Sequence, residues 1–385
     1  MGKRPNKNKY RYVLKRLEIE RFQRRLVSDE KRKIRFRARS GHFQSRFEVR
    51  EKIRGLPTNK GWANLRVPPI LDLIANFEEA AEFVKSIRRT ALGERRKVRL
   101  LFDEVKQIRP AALLLLLAEI HHCRLTQGLN RVTGTYPTNK RLERMMDATG
   151  FFKLLGVASR ILKPKNSTRT IEYIEFVSDV RLARDAARKL RQSLLGEELS
   201  MNLLSRKKLF RAISEAMINV GQHAYPDELH RGHQIRGRWW LAGAINKPRN
   251  ELMVTFCDLG VGIPRTLPKL YTWEKIRSAL SLLPGINPND GEMIQAGMTI
   301  GRTQTGETNR GKGLNDLRSF IDQSGTGEMV IISQHGMYRY TAGGVEKAQN
   351  YGSSVGGTFI KWTVPLDRVT NWTGEVGGYG EDEND

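Results

Sequence analysis

Residues 209–226 read LFRAISEAMINVGQHAYP. Leu209, Ile213, Met217 and Val220 recur at helical spacing, while Glu215, Asn219 and His223 recur every fourth position, so the pattern predicts a helix with a carboxylate, an amide and an imidazole along one stripe. A helix that buries one side and aligns an acid with a neutral oxygen ligand on another offers both a water-activating base and a magnesium ligand. The same spacing also describes a solvated polar face, so this stretch becomes a site only in company.

The company follows in order. About thirty residues on, LMVTFCDLGVGIP is an apolar run ending in Asp258, Gly260 and Gly262. NRGKGLNDL then places Gly311, Lys312 and Gly313 at the start of another helical pattern, and GGTFIKWTVPL ends the series with Thr358 on the same strand face as Ile360, Trp362 and Val364. Taken together, ExxxN, DxGxG, GKG and GGTF resemble the nucleotide-binding boxes of the GHKL ATPase family, and EAMINVGQHAYP looks most like its anti-sigma-factor kinase branch. The resemblance covers roughly residues 180–366, and it implies an α/β sandwich over 171–368 that binds ATP and Mg²⁺.

By that resemblance, Asn219 is the Mg²⁺ ligand and Glu215 orients or deprotonates a nucleophile near the γ-phosphate. Asp258 accepts from the adenine amino group, and Thr358 shares a water with it. Gly260 and Gly262 turn the backbone tightly beside the base. Gly311, Lys312 and Gly313 present amides, a dipole end and a point charge to the phosphates. Residues 264–310 correspond to a nucleotide-ordered lid, with Arg302 and Arg310 available to assist or facing solvent.

The rest of the chain bounds the answer. A length of 385 residues with 39% hydrophobic content accommodates two cores and an extension. Net charge of +26 implies attraction to polyanions. Residues 1–54 hold twenty Lys and Arg against six acids, so an arm over 1–60 is expected either to track nucleic-acid phosphates or to stay solvated beside an acidic partner. Cys123 and Cys257 make no disulfide framework, and the cytoplasm is the expected setting. The longest apolar run, residues 111–118, falls short of the ~20 residues that span a bilayer, and no signal peptide or membrane span is expected.

Over 61–165 the texture is that of a small α/β domain: LRVPPILDLI as an extended entry, NFEEAAEFVKSI as a helix capped by Asn76, and KVRLLFDEV as a strand. PAALLLLLAEIHHCRL then reads as a helix begun by Pro110, NRVTGTYP as a strand and NKRLERMMDATGFFKLLG as one closing helix. The succession resembles a STAS domain, the fold of anti-sigma-factor antagonists. Where that family carries a phosphorylatable serine, this chain has Ile108, Arg109, Pro110, Ala111 and Ala112, so no phosphate is accepted there. His121, His122 and Cys123 are adjacent on their helix, point about 100° apart and cannot chelate one ion together.

A strand over 171–177, a helix over 180–195, a hairpin of RGRWWLAGAI with ELMVTFCDL across NKPRN, and an acidic tail over 369–385 complete the expectations. Residues 151–212 contain no histidine, which argues against a two-component histidine kinase. The family's DNA clamps follow the ATP domain with a second, lysine-donating domain, and that arrangement is not expected either. Three readings remain: an ATP-dependent switch acting on a protein partner, a serine/threonine kinase of the anti-sigma-factor type, and a nucleic-acid-associated ATPase. A homodimer is compatible with each.

Overall fold

The protein is described by a computed structural model over residues 62–128, 131–161, 171–180, 201–226, 235–303 and 313–371. The basic arm, nearly all of the helix expected over 180–195, Gly311 with Lys312, and the acidic tail from residue 372 lie outside them. The chain is mixed α/β and is built on two sheets of different kind.

The first sheet is parallel, in the order β1 (Trp62–Arg66), β3 (Lys97–Leu101), β5 (Val132–Gly134), with a two-stranded parallel pair of β2 (Ile70–Leu71) and β4 (Gln107–Ile108) beside it. Parallel neighbours need crossovers, and α1 (Phe77–Arg88) and α2 (Pro110–Gln127) supply them. In α1, Phe77, Ala80, Ala81, Val84 and Ile87 are buried at helical spacing. Asn76 does precede α1, but its amide donates to the Ile70 carbonyl and the Glu79 carboxylate instead of capping, which corrects the expected role.

Pro110 opens α2 at the first position, where its missing N–H leaves nothing unpaired. Every residue from Ala111 to Ile120 is buried, as befits a helix covered on all sides. The expected single closing helix is instead two, α3 (Lys140–Ala148) and α4 (Phe151–Leu155), because Gly150 at φ +83° breaks the helical path.

The second sheet has eight strands, all antiparallel. They are β6 (Ile171–Tyr173), β7 (Val177–Asp179), β8 (Trp239–Asn246), β9 (Glu251–Asp258), β10 (Glu328–Ser333), β11 (Gly336–Thr341), β12 (Val345–Asn350) and β13 (Thr358–Pro365). The order is β12-β11-β10-β13-β9-β8-β6, with β7 also on β8, so the strand expected over 171–177 is two short ones. The β8–β9 hairpin closes at Asn246 and Glu251 through the expected turn, with Asn250 at φ +49°.

Alternation divides the faces of this sheet. Val254, Phe256 and Asp258 of β9 are in phase with Trp362, Ile360 and Thr358 of β13. That face carries α5 (Leu203–Asn219) and α9 (Gly313–Ser324), and Trp362 Nε1 donates to the Leu317 carbonyl of α9 at 2.8 Å. Also in this half are α6 (Ile263–Leu270), α7 (Trp273–Ala279) and α8 (Asp290–Thr303), with the short α10 (Leu366–Val369) after β13. The other face lies on α2: Trp240 Nε1 donates to His121 Nδ1 at 3.1 Å, so that histidine and tryptophan serve packing. One apolar core runs from the parallel sheet through α2 into the eight-stranded sheet. Each fully buried leucine of α2 contributes about 1.5–3 kcal/mol to holding the layers together. Among the described residues no helix is long and apolar enough to cross a membrane.

Candidate functional site

Helix α5 starts at Asn202, whose side chain accepts from the Ser205 amide at 2.8 Å. It buries Leu209, Ala212, Ile213, Ala216 and Met217 and leaves Glu215 and Asn219 half-buried at its margin. Asn219 lies one turn beyond Glu215 on this helix, and its amide oxygen is a hard neutral ligand by type. Burial pushes the Glu215 carboxyl upward and the Asp316 charge adds to it, against the nearby Asn219 amide and the Arg211 charge. Arg211 Nη2 in turn pairs with Asp316 Oδ2 at 2.9 Å, which ties α5 to the first turn of α9.

Residues Val220–Ala224 form a π-helical turn, so His223 continues from Asn219 along a wider helical path than the α-helix expected. His223 is half-buried, and burial lowers its pKa.

Across the same sheet face, Asp258 ends β9 directly opposite Thr358. It is 4% exposed and its Oδ1 accepts from the Gly260 amide at 2.8 Å, while the Thr358 hydroxyl lies 3.2 Å from Ser333 Oγ. Burial outweighs the nearby Gly260 and Thr358 donors and raises the carboxyl from 3.8 to about 7. The two glycines answer to protein contacts more than to an open turn. A Cβ on Gly260 would overlap the Ala224 carbonyl, and one on Gly262, at φ +82°, would lie 2.6 Å from Ser333 Oγ. The Val261 amide donates to that same Ala224 carbonyl at 2.8 Å, which joins the Asp258 loop to the end of the Glu215 helix.

No family model and no curated protein matches this chain.

Two residues that carry no motif complete the arrangement. Ser333, at the end of β10 in register with Thr358, accepts from the Ile263 amide at 2.9 Å and donates to the Gly357 carbonyl at 2.8 Å. Gln334 donates to the Val261 carbonyl at 2.7 Å. A lone Ser-Gln pair after an apolar strand gives no signal in the sequence. Of the other predicted residues, Gly313 opens α9, whereas Gly311, Lys312 and the side chains of Arg302 and Arg310 lie outside the described residues.

The described part of the insert over 264–310 is largely packed helix. α6, α7 and α8 share a small core of Leu267, Ile276, Met293, Ala296 and Ile300, and only 304–310 of the insert lies outside the described residues. Among the described residues no group of three His, Cys, Asp or Glu side chains is placed to cage a metal. The arrangement therefore combines a buried acceptor for a flat N–H donor, a base with a raised pKa, and one amide oxygen for a hydrated hard cation.

Proposed function

We propose that the chain is an ATP-binding regulatory switch of the GHKL type, with slow Mg²⁺-dependent hydrolysis acting on a protein partner. The observation that carries the reading is the union of two pairs on one sheet face: Glu215–Asn219 on α5 and Asp258–Thr358 across β9 and β13, joined through the Ala224 carbonyl.

The donor set fits such a ligand. Asp258 is a buried acceptor for the adenine amino group, and Thr358 sits opposite it in strand register. Asn219 Oδ1 would hold Mg²⁺, whose remaining ligands come from phosphates and water. Glu215, with its raised pKa, orients or takes a proton from the attacking water. Bound Mg²⁺ would supply neutralisation of phosphate charge.

Regulation rests on the N-terminal, STAS-like half. Glu78 of α1 accepts from the Gly352 and Ser353 amides, both at 2.7 Å, and Phe77 stacks on Tyr351 at 4.0 Å. These contacts grip the loop that ends in Gly357, beside Asp258, so order at the nucleotide end reaches the N-terminal half.

The test is incubation with γ-labelled ATP and Mg²⁺, comparing the intact protein with Glu215→Ala and Asn219→Ala. The switch predicts free phosphate that disappears in Glu215→Ala while nucleotide stays bound. Labelled protein substrate in place of free phosphate would favour the kinase, and absence of nucleotide binding would overturn the reading.

A further inference from the structure

On the face of the eight-stranded sheet opposite Glu215 and Asp258, a cleft of about 810 Å³ opens beyond α2, between the sheet and the N-terminal half. That size is typical of small-molecule sites. Its walls are amphipathic. Pro110, Leu142, Met145, Tyr173 and Met253 give an apolar lining, and Lys106, Arg109, Arg141 and Arg249 bring cations from three separate parts of the chain.

Most of the acids in the cleft are already matched. Asp72 Oδ2 lies 3.6 Å from Arg109 Nε, and Glu328 pairs with Lys361 at 2.7 Å and Arg339 at 3.1 Å. Among the described residues, Lys106, Arg141 and Arg249 have no carboxylate partner, and Glu251 is the remaining acid of the lining. Deeper in, Thr363 Oγ1 is buried with no hydrogen-bond partner among the described residues, and the half-buried Tyr173 side chain lines the same cleft. A buried hydroxyl without a partner costs about 1–3 kcal/mol, which a ligand acceptor would relieve.

We propose that this cleft binds a small amphipathic anion, with its carboxylate or phosphate held by Arg141, Arg249 and Lys106 and its apolar body against Pro110, Met145, Tyr173 and Met253. Arginine forks suit both anions in geometry and charge. The site shares strands β9 and β13 with the candidate nucleotide site but uses their other face, so the two ligands do not compete for space.

The test is calorimetric titration of the full chain with phenyl phosphate, and with inorganic phosphate as the probe lacking an apolar body, each with and without saturating Mg–ATP. Phenyl phosphate is expected to bind at least tenfold more tightly than inorganic phosphate. The double variant Arg141→Ala/Arg249→Ala should weaken it tenfold or more, the corresponding lysine pair should restore part of that loss, and Thr363→Val should weaken it several-fold. Neither Asn219→Ala nor Mg–ATP should change it. Equal affinity for the two anions, no binding, indifference to the arginine pair, or displacement by Mg–ATP would each overturn the assignment.

Discussion

Arg88 and Glu119 meet as a two-pronged ion pair between α1 and α2, with Nε 2.9 Å from Oε1 and Nη2 2.6 Å from Oε2. Arg88 ends α1, and Glu119 lies on α2 with no exposed surface. Nη1 of the same guanidinium approaches Gly356, two residues before Thr358. One ion pair thus braces both N-terminal helices against the loop that leads into the Asp258–Thr358 pair.

Removing one partner leaves a charge inside the protein. Arg88→Ala is expected to cost about 3–5 kcal/mol, read as a lowered urea midpoint at pH 7. Burial pushes the Glu119 carboxyl up, but the Arg88 charge and the neighbouring His122 outweigh it and hold it at about 2, below its ordinary 4.5. The unfolded chain therefore takes up this proton first on acidification. The pair's stabilisation is full above pH 4.5 and is lost as pH falls toward about 2. Glu119→Gln should flatten that acid limb.

Glu215 is held above the usual carboxylate range by burial and by Asp316. Hydrolysis should fall as pH drops through this raised value, because the protonated acid is no base. Asp316→Asn should move the acid limb of the pH–rate profile to lower pH, and Arg211→Ala should move it to higher pH. Glu215→Gln should reduce turnover by about 10²-fold or more with nucleotide binding retained. A profile unchanged in both neighbours would show that Glu215 is not the titrating base.

Asp258 has the opposite sign from Glu119. Its carboxyl is raised by burial to about 7, so the unfolded chain ionises first, and the nucleotide-free protein should lose stability as pH rises from 3.8 to about 7. Adenine-nucleotide affinity should rise over the upper part of that range as the carboxylate forms. Asp258→Asn should remove both trends and weaken binding by about 1.5–3 kcal/mol, the worth of a hydrogen bond to a charged group. Denaturation midpoints and nucleotide titrations between pH 5 and pH 8 check both signs.

Three glycines make a graded test. A Cβ on Gly260 would overlap the Ala224 carbonyl, one on Gly357 would overlap the Asp258 carbonyl at φ +51°, and one on Gly221 would meet open space. Gly260→Ala and Gly357→Ala should each destabilise by about 1–3 kcal/mol and weaken nucleotide binding. Gly221→Ala should be neutral or slightly stabilising, by restricting the unfolded chain. Melting temperatures of the three variants decide.

Local order was legible in the sequence because its causes lie within a few residues. Four-residue spacing aligned Glu215 with Asn219, Pro110 marked the start of α2, the NKPRN turn marked the β8–β9 hairpin, and two-residue alternation put Thr358 in phase with Trp362. The same locality missed the π turn at Val220 and misled at Gly150, where one helix became two.

What only the tertiary structure decided are contacts whose partners lie far apart in the chain. These include the placement of β13 between β9 and β10, the role of Ser333 beside Thr358, the grip of Glu78 on Gly352 and Ser353, and the surface against which the apolar run of α2 packs. An apolar run with no periodicity says that a helix is buried without saying against what. Pairing across hundreds of residues is set by loop closure and by the fit of whole layers, and neither leaves a mark on any one stretch of sequence.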